Sequence, residues 1–552
     1  MRHRFTRLAA AVAVIGAVGS TAPAAASADW PVYGHDLANS RNAGTAGPPA
    51  AQVGSLPRAW TFRSQTGDFT GTPVVADGVV VAGDHGGTVH AIDAVSGKEL
   101  WSKELGAPVN GTAAIDLDAP GGAAVYVPVA QPGSPHLVAL SLPDGATRWD
   151  TTLTKQENAS VYGSPTFSKG SVYIGTSGPN NDDTRARGSV VALDEGTGKI
   201  SWQTFTVPEG RDGAAVWTTP AIDEATGRMY VGTGNNYHQP TTDTEDAILA
   251  LDTSDGGIVG KYQATADDAF AADNPAGPDF DFGASPNLFE GPDGRKLVGA
   301  GQKSGIYWTL DRGSMQPVWQ TTVGPGGLLG GILGSTAVDE SRIYGADTID
   351  GQVFALGRDG SMTWESPDTG AAHLSPASIA NGVLYTTDPS GSLNARDPAT
   401  GSILAKLPLD GPAFGGVSAT GGALFVSVGT GPPPEPGPQN PSPGSIVAFG
   451  DTSKAGGSHG VAGGGGQGPA ARLRLSARPR VVRRGRLVRL RLRATRGGRP
   501  LAGAEIHLAG RRPRTGSDGR VTMRVRFRRA GRHVVRASKR GVGRASATVR
   551  AR

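Results

Sequence analysis

One short pattern recurs along most of this chain and limits how it can fold. An apolar run leads into Asp, then Gly, then an aromatic residue. "VHAIDAVSGKELW" ends at Trp101, "LVALSLPDGATRW" at Trp149 and "VVALDEGTGKISW" at Trp202. "ILALDTSDGGIVGKY" ends at Tyr262, "YWTLDRGSMQPVW" at Trp319 and "VFALGRDGSMTW" at Trp364, while "LNARDPATGSILAKL" ends at Leu407 without the aromatic. An eighth unit opens with "IVAFGD" but lacks its last strand, and an orphan "PRAWTF" around Trp60 precedes the first full repeat. Eight units of about 40 to 60 residues match propeller blades, each a four-stranded antiparallel sheet. The expected fold is all-β: an eight-bladed β-propeller whose last blade is completed by the strand around Trp60, locking the ring.

Composition agrees with that reading. The 552 residues include 84 Gly and 40 Pro, which suits many short strands joined by turns. Cys is absent, which excludes disulfides, a thiolate nucleophile, Cys-ligated zinc and a covalently attached c-type haem. At the N-terminus, "MRHRFTR" is basic, "LAAAVAVIGAVG" is apolar and short, and "AAASA" ends in small residues at Ala28. Residues 1–28 therefore read as a secretory signal with a mature start at Asp29, an uncleaved anchor being the alternative. No other segment approaches transmembrane length. A secreted or extracytoplasmic protein is expected, with possible attachment at the cell wall.

The overall charge of +5 hides a split. From Ala470 to Arg552, 26 Arg and one Lys stand against Glu505 and Asp518, a net +25, so the remainder carries −20. Between the two lies "TSKAGGSHGVAGGGGQGPA", a flexible Gly-rich linker over 451–469. The expected domains are the propeller over 29–450 and a small immunoglobulin-like or regulatory-like β-sandwich over 470–552. In the latter, "RLRLSA", "LVRLRLRA" and "VTMRVRFRR" alternate Arg with apolar residues, the period of a strand with one buried face. The plainer reading of the Arg is the wet face of that sandwich. So large a charge also attracts polyanions. An anionic cell-wall polymer, or the acidic propeller itself, fits an exported protein; nucleic acid is not expected.

Blade topology places the loops. In an up-and-down blade the loops between strands two and three share one face with the blade-to-blade crossings. The turns between strands three and four, such as "AVSGKE", "EGTGKI" and "PATGSI", are short and uniform. The loops between strands two and three vary, from the tight "GDHGGT" to "TSGPNNDDTRARGS" and "GTGNNYHQPTTDTEDA". Variable loops on a rigid scaffold are where function concentrates. Four residues map to that face of two adjoining blades: Trp217 on the crossing from blade three to four, Asn235 on the blade-four loop, Asp281 on the crossing from four to five, and Lys303 on the blade-five loop. Each alone has a plainer reading: an interblade Trp, a turn Asn, a capping Asp, a solvated Lys. Their convergence favours a site.

The stretches "DWPVYGHDLANSR", "AVWTTPAIDEATGRMYVGTGNNY", "PAGPDFDFGASP" and "AGQKSGIYWTLD" resemble those of the quinoprotein alcohol dehydrogenases, above all the polyvinyl-alcohol dehydrogenase-like branch. The blade pattern likewise resembles that family's tryptophan-docking repeat, and the likeness covers roughly residues 29 to 450. It implies pyrroloquinoline quinone (PQQ) and Ca²⁺ on the propeller axis and an alcohol as substrate. By that resemblance Trp217 would be the aromatic floor under the planar quinone. Asn235 would be a Ca²⁺ ligand through its side-chain oxygen. Asp281 would be the base that takes the alcohol proton, and Lys303 the cation at the quinone oxygens. Where the family places a Glu ligand, the blade-three loop offers Asp182 and Asp183, two acids that in a loop also read as merely solvated. Tyr162 stands in place of a pocket Thr, and Asn110 in place of an Arg that would hold cofactor carboxylates. The vicinal Cys pair of some members is missing, and so is a CxxCH haem site, so electrons would leave to an external acceptor such as a separate cytochrome. The departures keep a second expectation open, a noncatalytic propeller that binds or scaffolds at the cell envelope.

Overall fold

In the computed structural model, the structure describes residues 29–178, 185–271, 273–367, 373–430, 443–456, 473–479, 481–496, 499–508, 511–516, 519–539 and 543–552. The predicted signal, most of the predicted linker, Asp182 and Asp183 lie outside the described residues.

Eight four-stranded antiparallel sheets follow one another over residues 74–104, 114–152, 166–205, 221–263, 287–322, 337–367, 378–408 and 417–450. The eighth contributes only three strands in sequence. Its fourth is Arg58–Arg63, which pairs antiparallel with Ser445–Gly450, Trp60 opposite Ala448 and Phe62 opposite Ile446. The N-terminal strand thus closes the ring as the repeat pattern requires. Burial falls from the axis outward: Val79–Gly83 is buried throughout, whereas Glu99–Glu104 alternates between exposed and half-buried.

The repeat has a packing cause. Each outer-strand Trp donates its indole N–H to a carbonyl in the next blade: Trp60 to Ala94 (3.1 Å), Trp101 to Leu142 (2.8 Å), Trp149 to Glu195 (3.1 Å), Trp202 to Thr253 (3.3 Å), Trp319 to Arg358 (3.2 Å) and Trp364 to Pro398 (3.0 Å). The repeat Gly lies against that ring. A Cβ on Gly198, whose φ is +71°, would stand 2.5 Å from Trp149, so only Gly fits both the left-handed turn and the close approach. The repeat Asp caps the same turn, as when Asp93 Oδ1 accepts from the Ser96 N–H at 2.8 Å. Where the aromatic is Tyr262, the next turn has Met315 at φ +58° in place of Gly. Its side chain covers Gly260, on which a Cβ would stand 2.7 Å from Met315 Cγ. Trp149→Ala removes a buried ring stacked on Tyr126 at 5.8 Å and is expected to cost about 3–5 kcal/mol. A denaturant titration followed by far-UV circular dichroism checks it, and an unchanged midpoint would contradict this role.

Two features organise the axis. The first is a chain of hydroxyls just before the innermost strands, each accepting the backbone N–H of the blade before: Thr72 to Thr112 (2.8 Å), Thr112 to Ser164 (2.9 Å), Ser164 to Thr219 (3.3 Å), Thr219 to Ser285 (2.9 Å) and Ser285 to Ser335 (2.8 Å). The second is the N-terminal segment, which runs beneath these hydroxyls along the inner strands. Trp30 bridges Val75, and the carbonyls of Pro31, Leu37, Ala38, Ser40 and Arg41 accept from Ile115, Ile222, Leu288, Val338 and Ile379. Arg41 is fully buried there, donating to the carbonyls of Tyr33 and Ala377, each at 2.6 Å, and to Ser378 Oγ at 2.9 Å.

Residues 451–456, expected to open the linker, still pack on the propeller. Thr452–Lys454 form a short 3-10 helix, and Thr452 Oγ1 donates to the Val95 carbonyl at 2.9 Å. Farther on, two four-stranded sheets enclose a common cluster containing Leu490, Leu492, Ile506, Met523, Val535 and Val549. Along Arg520–Arg526, Met523 and Val525 face that cluster while Arg524 and Arg526 are exposed.

Candidate active site

The loop "GTGNNYHQPTTDTED" is a folded polar knot. Asn236 Oδ1 accepts from the Thr242 N–H at 2.7 Å, and its Nδ2 donates to the Asp212 carbonyl, on the crossing from blade three, at 2.6 Å. This fixes the preceding residue. Asn235 donates its backbone N–H to Asp281 Oδ1 at 2.7 Å, and its Nδ2 donates to the carbonyls of Asn236 and Phe270, each at 2.6 Å. The amide nitrogen being so committed, the side-chain oxygen is the end left to meet a cation.

Asp281 receives a second donor from blade five. Lys303 Nζ lies 2.7 Å from Asp281 Oδ2 and 2.9 Å from Asp279 Oδ1, and the Lys303 N–H donates to the Asp281 carbonyl at 2.9 Å. Lys303 Nζ also stands 5.8 Å from the Trp217 ring centroid. Two glycines permit these approaches. A Cβ on Gly234 would be 2.3 Å from Asp281 Oδ1, and one on Gly283 would be 2.6 Å from Trp217 Cη2 and 2.8 Å from Leu333 Cδ2. The indole therefore lies directly against the crossing into blade five. The structure brings Trp217, Asn235, Asp281 and Lys303 into one group on one face.

Three acids in the same place carry no signal in the sequence. Asp246 is fully buried, and neither of its carboxylate oxygens has a hydrogen-bond partner. Burial, then the charges of Asp281 and Asp268, push it well above the usual carboxylate range. Asp268 accepts the N–H groups of Asp279 and Phe280 at 3.2 and 2.8 Å. Asp279 is raised to about 8 by burial and by the charge of Asp281, against the opposing pull of Lys303. Nearby Glu245 is raised to about 7, mainly by burial. Burial alone would lower Lys303, but the charges of Asp281 and Asp279 outweigh it and raise it. The group thus holds more carboxylates than ammonium groups, and it suits an added cation. Among the described residues no three His, Asp or Glu side chains are placed to hold a metal ion by themselves. A separate open cleft on the opposite face is lined by Asp36, Leu37, Ile222, Glu224, Leu288 and Arg312.

An eight-bladed ring with tryptophan docking and an axial polar group on blades four and five is a propeller of the quinoprotein type. The chain belongs to the PQQ-repeat family, in its quinoprotein alcohol dehydrogenase-like group: the family model, described as "Outer membrane protein assembly factor BamB", matches residues 57–278 and 208–428. It is 28% identical over 460 residues to a polyvinylalcohol dehydrogenase of Sphingopyxis sp. (strain 113P3), covering 69% of this chain and 70% of the relative. It is 30% identical over 381 residues to a polyvinylalcohol dehydrogenase of Pseudomonas sp, covering 61% of this chain and 59% of the relative. The fold is like that of quinohemoprotein alcohol dehydrogenase ADHIIG from Pseudomonas putida HK5, with TM-score 0.66 and 18% identity over 81% of this chain and 83% of that one.

Proposed function

We propose that this chain is an exported quinoprotein dehydrogenase that oxidises an alcohol with PQQ and Ca²⁺ and passes electrons to an external acceptor. The observation that carries the reading is the convergence of Asp281 with Lys303, Asn235 and Trp217. The names of the Sphingopyxis and Pseudomonas relatives support the alcohol as substrate.

The residues present fit both groups. Trp217, packed at its edge against Gly283, offers an aromatic platform for a planar quinone. The unpartnered oxygens of Asp246 and the surplus of carboxylates suit a divalent cation nearby. Asn235 would supply a hard oxygen donor through its side-chain carbonyl. When bound, the quinone supplies the two-electron acceptance that no side chain offers. Asp281 accepts the alcohol proton on a carboxylate oxygen, its position fixed by the Asn235 N–H. Lys303 holds that carboxylate at 2.7 Å and adds positive charge where negative charge develops. With no Cys in the chain, no covalent c-type haem can be carried, so the acceptor is a separate molecule such as a cytochrome.

Reconstitution tests this. The full chain with PQQ and CaCl₂ is expected to bind the quinone at micromolar concentration and to reduce a dye when an alcohol is added. Absence of binding would overturn the enzyme reading in favour of a binding or scaffold propeller, the role suggested by the family model's own description. Export, and attachment of the Arg-rich region to an anionic wall polymer, belong to the same proposal; the family match ends at residue 428 and does not reach that region.

A further inference from the structure

Two loops meet at one end of the C-terminal sheets. The Gly485 N–H donates to the Phe527 carbonyl at 2.9 Å, and the Arg484 N–H donates to the Arg552 backbone oxygen at 2.7 Å. Leu487 pairs with Arg526 across the neighbouring strands. The Phe527 ring packs on His533 at 4.6 Å, and His533 Nε2 lies 2.9 Å from the Arg529 carbonyl oxygen. The segments 483–487 and 526–530 therefore form one surface. It presents Arg483, Arg484, Arg486, Arg526, Arg528 and Arg529, all exposed. Among the described residues of 473–552 the one acid is Glu505. It pairs with Ser538, toward the far end of the strand Gly531–Lys539, and lies 3.2 Å from His507. The arginines at this end thus repel one another with no carboxylate of their own region to relieve them.

Two apolar side chains flank these arginines. Val482 and Val488 pack in the cluster between the sheets, so strand alternation turns Val481 and Leu487 outward. They are 51% and 58% exposed, the most exposed large apolar side chains of the region. Val481 stands on one sheet and Leu487 on the other, one on each side of the basic end.

A dissolved polyanion accounts for the arginines but gives no reason to hold apolar side chains beside them. A bilayer surface accounts for both. Guanidinium groups fork onto lipid phosphates, and apolar side chains enter the boundary between headgroups and acyl chains. We propose that this end of the C-terminal sheets docks on an anionic lipid surface. Arginines on the outer sheet face, such as Arg491 and Arg524, remain for the polymer proposed above. The docking does not depend on the quinone. For a dehydrogenase that must hand its electrons to a separate molecule, it would bring the chain to acceptors held in a membrane.

Sedimentation with vesicles tests this. The chain is taken from Asp29 onward, since the apolar stretch before it would bind lipid on its own. Vesicles of phosphatidylcholine with about 30% phosphatidylglycerol are expected to carry the chain down, and vesicles of phosphatidylcholine alone to leave it in solution. NaCl at about 500 mM is expected to weaken the binding. Arg528→Ser combined with Arg529→Ser should weaken it by about tenfold or more. Val481→Ser combined with Leu487→Ser should weaken it by about tenfold while binding of soluble polyphosphate stays unchanged, and Leu487→Trp should strengthen it. Equal binding to the two kinds of vesicle overturns the inference. Vesicle binding unaltered by the apolar substitutions also overturns it and leaves a plain polyanion site. Equal weakening of vesicle and polyphosphate binding by those substitutions overturns it too, since the apolar side chains would then have no separate part in meeting lipid.

Discussion

Asp281→Asn is expected to lower alcohol turnover by about 100-fold to 10,000-fold while PQQ binding stays within a few-fold of wild type. The carboxylate uses one oxygen for the Asn235 N–H and the other for Lys303. The amide keeps one acceptor but has no lone pair basic enough to take a proton from an alcohol. Lys303 retains its second partner, Asp279 at 2.9 Å, so the ammonium is not left unpaired and the site keeps its shape. Dye reduction in the reconstituted chain, set beside dialysis of PQQ, separates the two quantities. Turnover within a few-fold of wild type would remove Asp281 from the role of base; loss of binding together with turnover would make it structural.

Lys303→Met is expected to be the most destabilising single change at this site. It leaves the Asp279 and Asp281 carboxylates buried side by side, a loss of about 3–5 kcal/mol when one partner of a buried pair is removed. The loss depends on pH with a definite sign. Asp279 rises from 3.8 in the ordinary state to about 8 in the fold. Between those values the folded chain holds a proton that the unfolded chain has released, so stability falls as pH rises across the window. Without Lys303 the carboxyl is pushed higher still, so the decline continues to higher pH. Thermal midpoints of wild type and Lys303→Met should therefore lie closer at about pH 6 than at about pH 9. A gap that does not change with pH would mean that Lys303 contributes packing rather than charge.

Much of the ring could be read before any coordinates. The number of blades follows from the spacing of Trp101, Trp149, Trp202, Tyr262, Trp319 and Trp364. The closing strand follows from Trp60, an aromatic with no repeat of its own. The structure gives both a cause in the docking of each ring on the next blade's turn, and it shows why Met315 accompanies Tyr262: a smaller partner needs a bulkier cover. The placement of Trp217, Asn235, Asp281 and Lys303 on one face was legible too, because topology alone decides which loops share a face. Asp246, Asp268 and Asp279 were not. An acid in a loop reads as a solvated turn residue, and only the fold shows that these are buried against one another.

The N-terminal segment beneath the axial hydroxyls has a mechanical consequence. With Trp30 through Arg41 laid across the inner strands, the ring is a stoppered well rather than a tube. Anything entering above Trp217 must leave by the way it came. Were the proposed alcohol a long hydroxyl-bearing polymer, it could not be threaded through and read along its length; it would have to dip a short bend or a free end into the well, react, and withdraw. Successive oxidations on one such molecule would then be separate visits, scattered along the chain instead of running in order.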